Sequence, residues 1–198
     1  MAINNGYVTL SLLKSSLQIE DNLLDEFLEL AIESASRQID AATERSFFQV
    51  DNQTRLFTPR DSFVTEIDDL RTLTTLKTSS DADENFDITW ETKDFQLEPL
   101  NGKVSGIETP STRIRAIDEY LFTIDREEAT VKVTGDWGWP SVPVQVQQAC
   151  LILSARLFER RNSPLGIAGF SDVGAVFVSK FDSDIDKLLM PFKKVRMA

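Results

Sequence analysis

Histidine is absent from all 198 residues, and the chain has one cysteine, Cys150. Together these two facts exclude more chemistry than any motif supplies. Without an imidazole there is no Ser-His or Cys-His nucleophile pair, no side chain that ordinarily titrates near neutrality, and none of the commonest metal ligands. One thiol and no imidazole are too few for a structural zinc site within one chain. No catalytic, cofactor-binding or metal-binding residue is assigned, and the chain is not expected to be an enzyme. A lone cysteine forms no intrachain disulfide and fits a reducing compartment.

The remaining motifs each have a plainer reading. Ser11-Leu-Leu-Lys14 has the Ser-x-x-Lys spacing of acyl-serine enzymes, but the companion motifs are missing and the segment has helical amphipathicity. Asp81, Asp83, Asn85 and Asp87 alternate like the start of a calcium loop. Phe86 stands where that loop needs Gly, and Thr92 where it needs Glu, so a solvated acidic turn is expected. Asp68-Asp69 and Glu127-Glu128 are the carboxylate pairs a hydrolase would use; among 32 acids such neighbours arise by accident. Asn52-Gln-Thr54 matches a glycosylation sequon with no secretory segment to bring it into use. Trp137 and Trp139 flank Gly138 and suit stacking on a base or sugar, yet such a pair more often plugs the junction of a sheet and a helix. The glycines at 166, 169 and 174 follow a helix, whereas a phosphate-binding loop precedes one.

The elements therefore have a surface to position, not a reaction centre. The most informative of them runs from Trp137 to Pro164. Gly138-Trp139-Pro140 breaks a preceding strand, Ser141 is placed to cap a helix, and Pro143 suits its first turn. Val146, Ala149, Cys150, Leu153 and Leu157 share one helical face, while Leu151, Ile152, Ala155 and Phe158 make the other side apolar too. A helix apolar nearly all round is covered on more than one side, either in the middle of a core or partly by its own fold and partly by a neighbouring subunit. Arg156, Arg160 and Arg161 gather at its C-terminal end, where the dipole favours cations.

Upstream, Thr9 is expected to cap a short helix, Leu10 to Leu17, and Glu20-Asp21-Asn22 a long one reaching about Arg45. Leu24, Phe27, Leu28, Ala31, Ala35, Ile39 and Ala42 form the long helix's apolar face. From Phe47 the period shortens to that of strands. Segments at 55–58, 62–66, 73–77, 86–90, 94–97, 113–117 and 130–134 predict six or seven short antiparallel strands. Beyond Pro164, residues 165–174 predict a glycine loop, 175–179 a candidate strand, and Asp182 or Ser183 a cap for a last short helix. The tail from Phe192 is basic and is expected to be unstructured alone. The N-terminal MAINNGYVTLSLL is not expected to be a signal peptide, and no apolar run is long enough to span a membrane.

The net charge of −11 is uneven. Residues 1–60 carry 5 basic and 9 acidic side chains, residues 61–120 carry 6 and 14, and residues 121–198 carry 10 and 9. An acidic body argues against a protein that grips nucleic acid, which needs clustered cations.

Two blocks carry a family resemblance. YVTLSLLKSSLQIEDN (7–22), with a long helix ending AATERSFF (41–48), resembles the opening of head–tail connector proteins of long-tailed double-stranded DNA bacteriophages. These are also called adaptor or head-completion proteins. The second block is similar to the version in phages of high-GC Gram-positive hosts: GDWGWP (135–140), VPV (142–144), QACLILSARLFERRNSPLGIAGF (148–170) and KFDSDIDKLL (180–189). The blocks cover roughly half the chain; compact members of the family have a much shorter connection in place of residues 50–134.

The resemblance implies a homo-oligomeric ring of twelve subunits under the portal protein, at the neck of the virion, assembled in the host cytoplasm. Such a ring extends the DNA channel and presents a surface to a stopper or tail-completion protein. DNA passes an acidic lumen without specific binding, because carboxylates repel phosphates. No membrane and no cofactor is implied. Alternatives are another virion ring protein, a stopper or tail-terminator, and more remotely a carboxylate-dependent hydrolase. The expected class is α+β with a mainly α core: helical hairpin, central helix and C-terminal helix, interrupted by an antiparallel β-region. The divisions are 1–49, 50–136 and 137–198, the last joining the first in one helical core. Ile152, Phe158, Arg160 and Arg161 are expected at the subunit interface. Ile167, Phe170, Phe192, Lys193, Lys194 and Arg196 are expected to dock on the portal or a neighbouring subunit.

Overall fold

Thr9 begins the first helix as expected: its hydroxyl accepts the Leu12 amide at 3.2 Å, satisfying one of the donors a helix start leaves open. The computed structural model describes residues 3–80, 85–104, 106–125, 128–161, 167–171, 174–177 and 183–194. They fall into two units, 1–45 with 142–198, and 46–141.

The helical unit holds α1 (Leu10–Leu17), α2 (Asp25–Thr43), α3 (Val144–Arg160) and α4 (Ser183–Leu189), with a 3-10 turn at Met190–Phe192. The expected caps at 20–22 do not cap α2, which starts at Asp25 without a side-chain cap. Asp21 instead accepts the Leu23 amide at 3.0 Å, shaping the turn before the helix. Asp25 and Glu26 supply negative charge at the dipole's positive end. Likewise Ser141 does not cap α3, whose N-cap position is Pro143. Leu28, Ala31, Ile32, Ala35 and Ile39 of α2 are buried, as are Val146, Ala149 and Cys150 of α3. The two helices pack together through these small and medium side chains. Ser36 and Ser154, also buried, donate to the carbonyls of Ile32 and Cys150 at 2.8 and 2.7 Å, so neither hydroxyl is stranded.

Residues 165–174 were expected to form a loop. In the structure β9 (Ile167–Ser171) and β10 (Gly174–Phe177) pair antiparallel. Main-chain pairing, which glycine also supplies, outweighs its low strand propensity here. α3 ends at Arg160; the expected stop at 162–164 and the expected cap Asp182 lie outside the described residues.

The sheet unit holds a six-stranded antiparallel sheet. Its order is β1 (Val50–Phe57), β8 (Val131–Trp137), β2 (Val64–Thr78), β7 (Ser111–Ala116), β4 (Phe95–Glu98), with β3 (Ile88–Trp90) also paired to β2. β5 (Lys103–Val104) and β6 (Ile107–Glu108) make a separate two-stranded ribbon. The two strands expected at 62–66 and 73–77 are one continuous strand, β2. It absorbs the broken alternation through register shifts between Glu66 and Leu70 and between Leu70 and Thr72, where Asp69 and Leu70 are buried in succession. β8, by contrast, alternates without interruption and buries Val131, Val133, Gly135 and Trp137.

These strands enclose their own hydrophobic cluster, including Ile67, Leu70, Leu76, Trp90, Ile114, Phe122, Val133 and Trp137. The expectation of a mainly α core is therefore wrong: the core is sheet-based. Of the four largest fully buried side chains among the described residues, Trp137, Phe47 and Phe122 belong to the sheet unit and Phe192 to the helical one. The reason is volume. The α2–α3 interface is built from Ala, Ser and Cys with a few Leu, Ile and Val side chains, whereas the strands bring Trp and Phe inward, and aromatic burial dominates core energetics.

Candidate interaction surface

The polar motifs resolve into structural roles. Lys14 Nζ lies 2.7 Å from Asp25 Oδ1 and 2.6 Å from Asn22 Oδ1, so it ties α1 to the start of α2. It is a committed ion-pair member, not a base for exposed Ser11. Asp68 and Asp69 lead in different directions: Asp68 pairs with Arg55 at 2.9 Å, while buried Asp69 accepts the Trp139 indole N–H at 3.0 Å. Glu127 and residues 81–84 of the acidic turn lie outside the described residues. Asn52 has a left-handed φ of 47° and donates its amide to Asp136 at 2.9 Å. Trp137 and Trp139 are buried, and the Trp137 indole donates to the Gln53 carbonyl at 2.7 Å, so neither ring is presented for stacking. Among the described residues no three Asp, Glu, Cys or His side chains form a metal-holding group.

One titratable cluster is built into the helical unit. The Tyr7 hydroxyl donates to Asp40 Oδ1, and Arg37 Nε lies 3.2 Å from Asp40 Oδ2. Burial pushes the Asp40 carboxyl above its ordinary range, more than Tyr7 and Arg37 pull it down. Burial likewise pushes up the Cys150 thiol, whose sulfur sits 3.4 Å from Ser36 Oγ. A thiol so placed is inert, because the thiolate is the reactive form.

The surface itself lies between α2 and the C-terminal half of α3. Phe27, Leu30 and Ala31 from α2 and Leu157, Phe158 and Arg161 from α3 and its end line an open groove of about 290 Å³. Phe27 is 52 % exposed and Leu30 51 %. The Arg161 guanidinium lies over both rings, 4.3 Å from the centre of Phe158 and 5.3 Å from that of Phe27, a cation–π arrangement. From Leu151 to Phe158 only Ser154 is fully buried; every apolar side chain in that stretch of α3 is half-covered.

Of the residues expected at an interface, Phe158 and Arg161 meet in this groove, Ile152 is half-buried on α3, and Arg160 is exposed at its end. The docking set is dispersed. Phe192 is 2 % exposed, inside its own unit, so it is not a side chain held out for a partner. Its segment is not unstructured either: the Lys194 amide donates to the Thr43 carbonyl at 2.9 Å, capping the open end of α2. Lys193 is exposed and 3.0 Å from Asp186 Oδ1. Ile167 and Phe170 lie in β9, and Arg196 lies outside the described residues. Phe27 and Leu30 were missed. The periodic reading put Phe27 on the buried face, but Phe27 and Leu30, three residues apart on α2, lie on a second stripe beside the buried one.

No family model matches the chain, and no curated protein matches it in sequence. Its fold does match solved structures. A chain of "Neck of empty GTA particle computed with C6 symmetry" superposes with a TM-score of 0.60 at 18 % identity, covering 100 % of this chain and 95 % of that one. A chain of "Neck of native GTA particle computed with C12 symmetry" gives 0.54 at 17 %, over 100 % and 94 %. A chain of "Virion of native gene transfer agent (GTA) particle" gives 0.54 at 16 %, over 100 % and 95 %. The chain thus shares its whole fold, strands included, with chains of gene transfer agent necks and virions.

Proposed function

We propose that this protein is a structural subunit of the neck of a phage-like particle. It forms a homo-oligomeric ring under the portal and serves there as the adaptor on which a stopper or tail-completion protein docks. The observation that carries this reading is the end-to-end match in fold to chains from neck structures. The match spans residues 50–134, where the family resemblance is silent, so the inserted strands are part of the shared architecture. The C12 and C6 symmetries named for those necks support a ring for this chain as well.

The groove supports the same reading. An apolar helix end covered only in part, beside exposed Phe27 and Leu30, is what an interface leaves behind when its partner is removed. Rings arise from unlike surfaces meeting head to tail through a rotation that closes. In this reading Ile152, Phe158, Arg160 and Arg161 belong to the contact between subunits. The role is assembly, not catalysis.

The test is reconstitution. Purified protein, examined by native mass spectrometry and negative-stain microscopy with filled heads lacking their neck, should form rings and restore tail joining. A monomer that neither assembles nor binds the heads would overturn the proposal. Rings that bind completed tails in preference to heads would move the protein to the stopper or tail-terminator role.

A further inference from the structure

The geometry points to a second copy of this chain as the occupant of the α2–α3 groove, seated through the Phe63 and Leu121 patch of its sheet unit. This rests on the ring reading above and specifies the contact that would build the ring.

The groove states what its occupant must be. Its floor is aromatic and aliphatic, and its cation, Arg161, already covers two rings with its guanidinium. A complementary partner brings an apolar body with carboxylates at its edge. The α3 end sharpens the requirement: Arg156, Arg160 and Arg161 fall within six residues, and residues 142–198 carry 8 basic against 5 acidic side chains.

The sheet unit carries such a partner. Phe63 is 58 % exposed and Leu121 52 %. Main-chain bonds hold their segments together: the Ala116 amide donates to the Phe63 carbonyl at 2.8 Å, and the Phe122 amide to the Ser62 carbonyl at 2.8 Å. Asp61, Asp118 and Glu119 are exposed around them. Asp61 accepts the Phe63 amide at 2.6 Å, which fixes the loop that presents the ring. Asp118 sits at a left-handed φ of 58° in the turn before Leu121. Neither Asp118 nor Glu119 has an ion-pair partner among the described residues. Both units are net negative, with 10 basic against 19 acidic side chains in the sheet unit and 11 against 13 in the helical one. The attraction is therefore local, between the arginines at the α3 end and the patch carboxylates. Groove and patch are different surfaces, so the contact is heterologous and each copy can offer both.

Two proteins with one added cysteine each test this directly. Leu30→Cys in one preparation and Leu121→Cys in another place thiols at exposed positions, while native Cys150 is buried and silent. A short bis-maleimide added to their mixture should give a covalent heterodimer, with neither protein dimerising alone. Leu30→Cys dimerising by itself would overturn the proposal in favour of a groove-to-groove contact. Rings in the microscope without heterodimer would overturn it in favour of another occupant, such as a portal or stopper segment. Heterodimer without rings would leave the contact standing and count against the ring reading. Charge reversal is the second arm. Arg161→Glu should weaken assembly at least tenfold, and so should Asp118→Arg with Glu119→Arg, both with unchanged circular dichroism. Combining the two proteins should recover most of the loss; failure to recover it would overturn the pairing.

Discussion

Buried Asp69 accepts the Trp139 indole N–H at 3.0 Å through one carboxylate oxygen, while its main-chain carbonyl accepts the Gly138 amide at 2.7 Å. A single strand residue therefore fixes both the exit of β8 and the ring that follows it. The Trp139 ring also packs 5.2 Å from Phe47, closing one end of the sheet unit. Trp139→Phe keeps an aromatic ring against Phe47 and deletes the donor, with a further loss for the volume of the second ring. A hydrogen bond to a charged group contributes about 1.5–3 kcal/mol, so the loss in urea unfolding should be at least that. A loss under about 0.5 kcal/mol would show that another donor takes over.

Gly138 is the backbone counterpart of that contact. Its φ is +93°, and a Cβ there would meet the Phe48 carbonyl oxygen at 1.9 Å. Backbone strain of this kind costs about 1–3 kcal/mol before any steric clash is counted. Gly138→Ala is therefore expected to lose more than about 3 kcal/mol or fail to fold. Gly106→Ala is the control: its φ is +81°, but no atom lies within 4 Å of the added methyl. It should lose only about 1–2 kcal/mol, the cost of the left-handed backbone itself. Equal losses would show that the Phe48 contact does not matter.

How much of this was legible depends on the range of the cause. The Thr9 cap, the α1 span and the strand character of β8 follow from residues near one another in sequence, and all could be read there. The Asp69–Trp139 bond joins residues 70 apart, and no local pattern announces it. β2 looked like two strands because Asp68-Asp69 interrupts the alternation; the structure accommodates it with bulges, which tertiary pairing decides. The sheet-based core was missed because the helical segments show their apolar periodicity openly, whereas each short strand reveals little alone. For the groove, Phe158 and Arg161 were legible from the helix end. Phe27 was assigned to the wrong face, since a two-stripe helix looks like one wide stripe until its neighbour is known.

Asp40 allows a pH test of the helical unit. Burial raises its pKa above the ordinary 3.8, opposed by the Tyr7 hydroxyl and by Arg37 and assisted by Glu33. An acid raised in this way favours the folded state fully below pH 3.8, and that contribution is lost as pH rises through the folded pKa. Asp40→Asn still offers an acceptor to Tyr7 but does not ionise. The stability of the variant relative to the wild type should therefore improve as pH is raised from about 3 to about 7, the range over which the carboxylate charges. Denaturation midpoints at four or five pH values measure the difference directly, and the other acids cancel in it. A difference that stays flat or declines with rising pH would mean that Arg37 and Tyr7 outweigh burial.

The last prediction separates folding from assembly on one helix. Leu28 and Leu30 lie two residues apart on α2; Leu28 is fully buried against the unit's interior, and Leu30 lines the groove at 51 % exposure. Leu28→Ala removes buried methyl groups and leaves a cavity, which costs about 2–5 kcal/mol. Leu30→Gln replaces an exposed apolar side chain with a polar one of good helix propensity, so the subunit's own stability should move by no more than about 0.5 kcal/mol. Assembly should respond in the opposite order. Leu30→Gln should abolish or sharply weaken ring formation, because the groove would have to bury a polar amide with no partner there. Leu28→Ala, at temperatures where it stays folded, should still assemble. Thermal unfolding of the dilute subunit and native mass spectrometry across a concentration series give the two readouts. If Leu30→Gln assembles like the wild type, the groove is not an assembly surface. If both variants lose stability equally, the second stripe of α2 belongs to the fold and not to a partner.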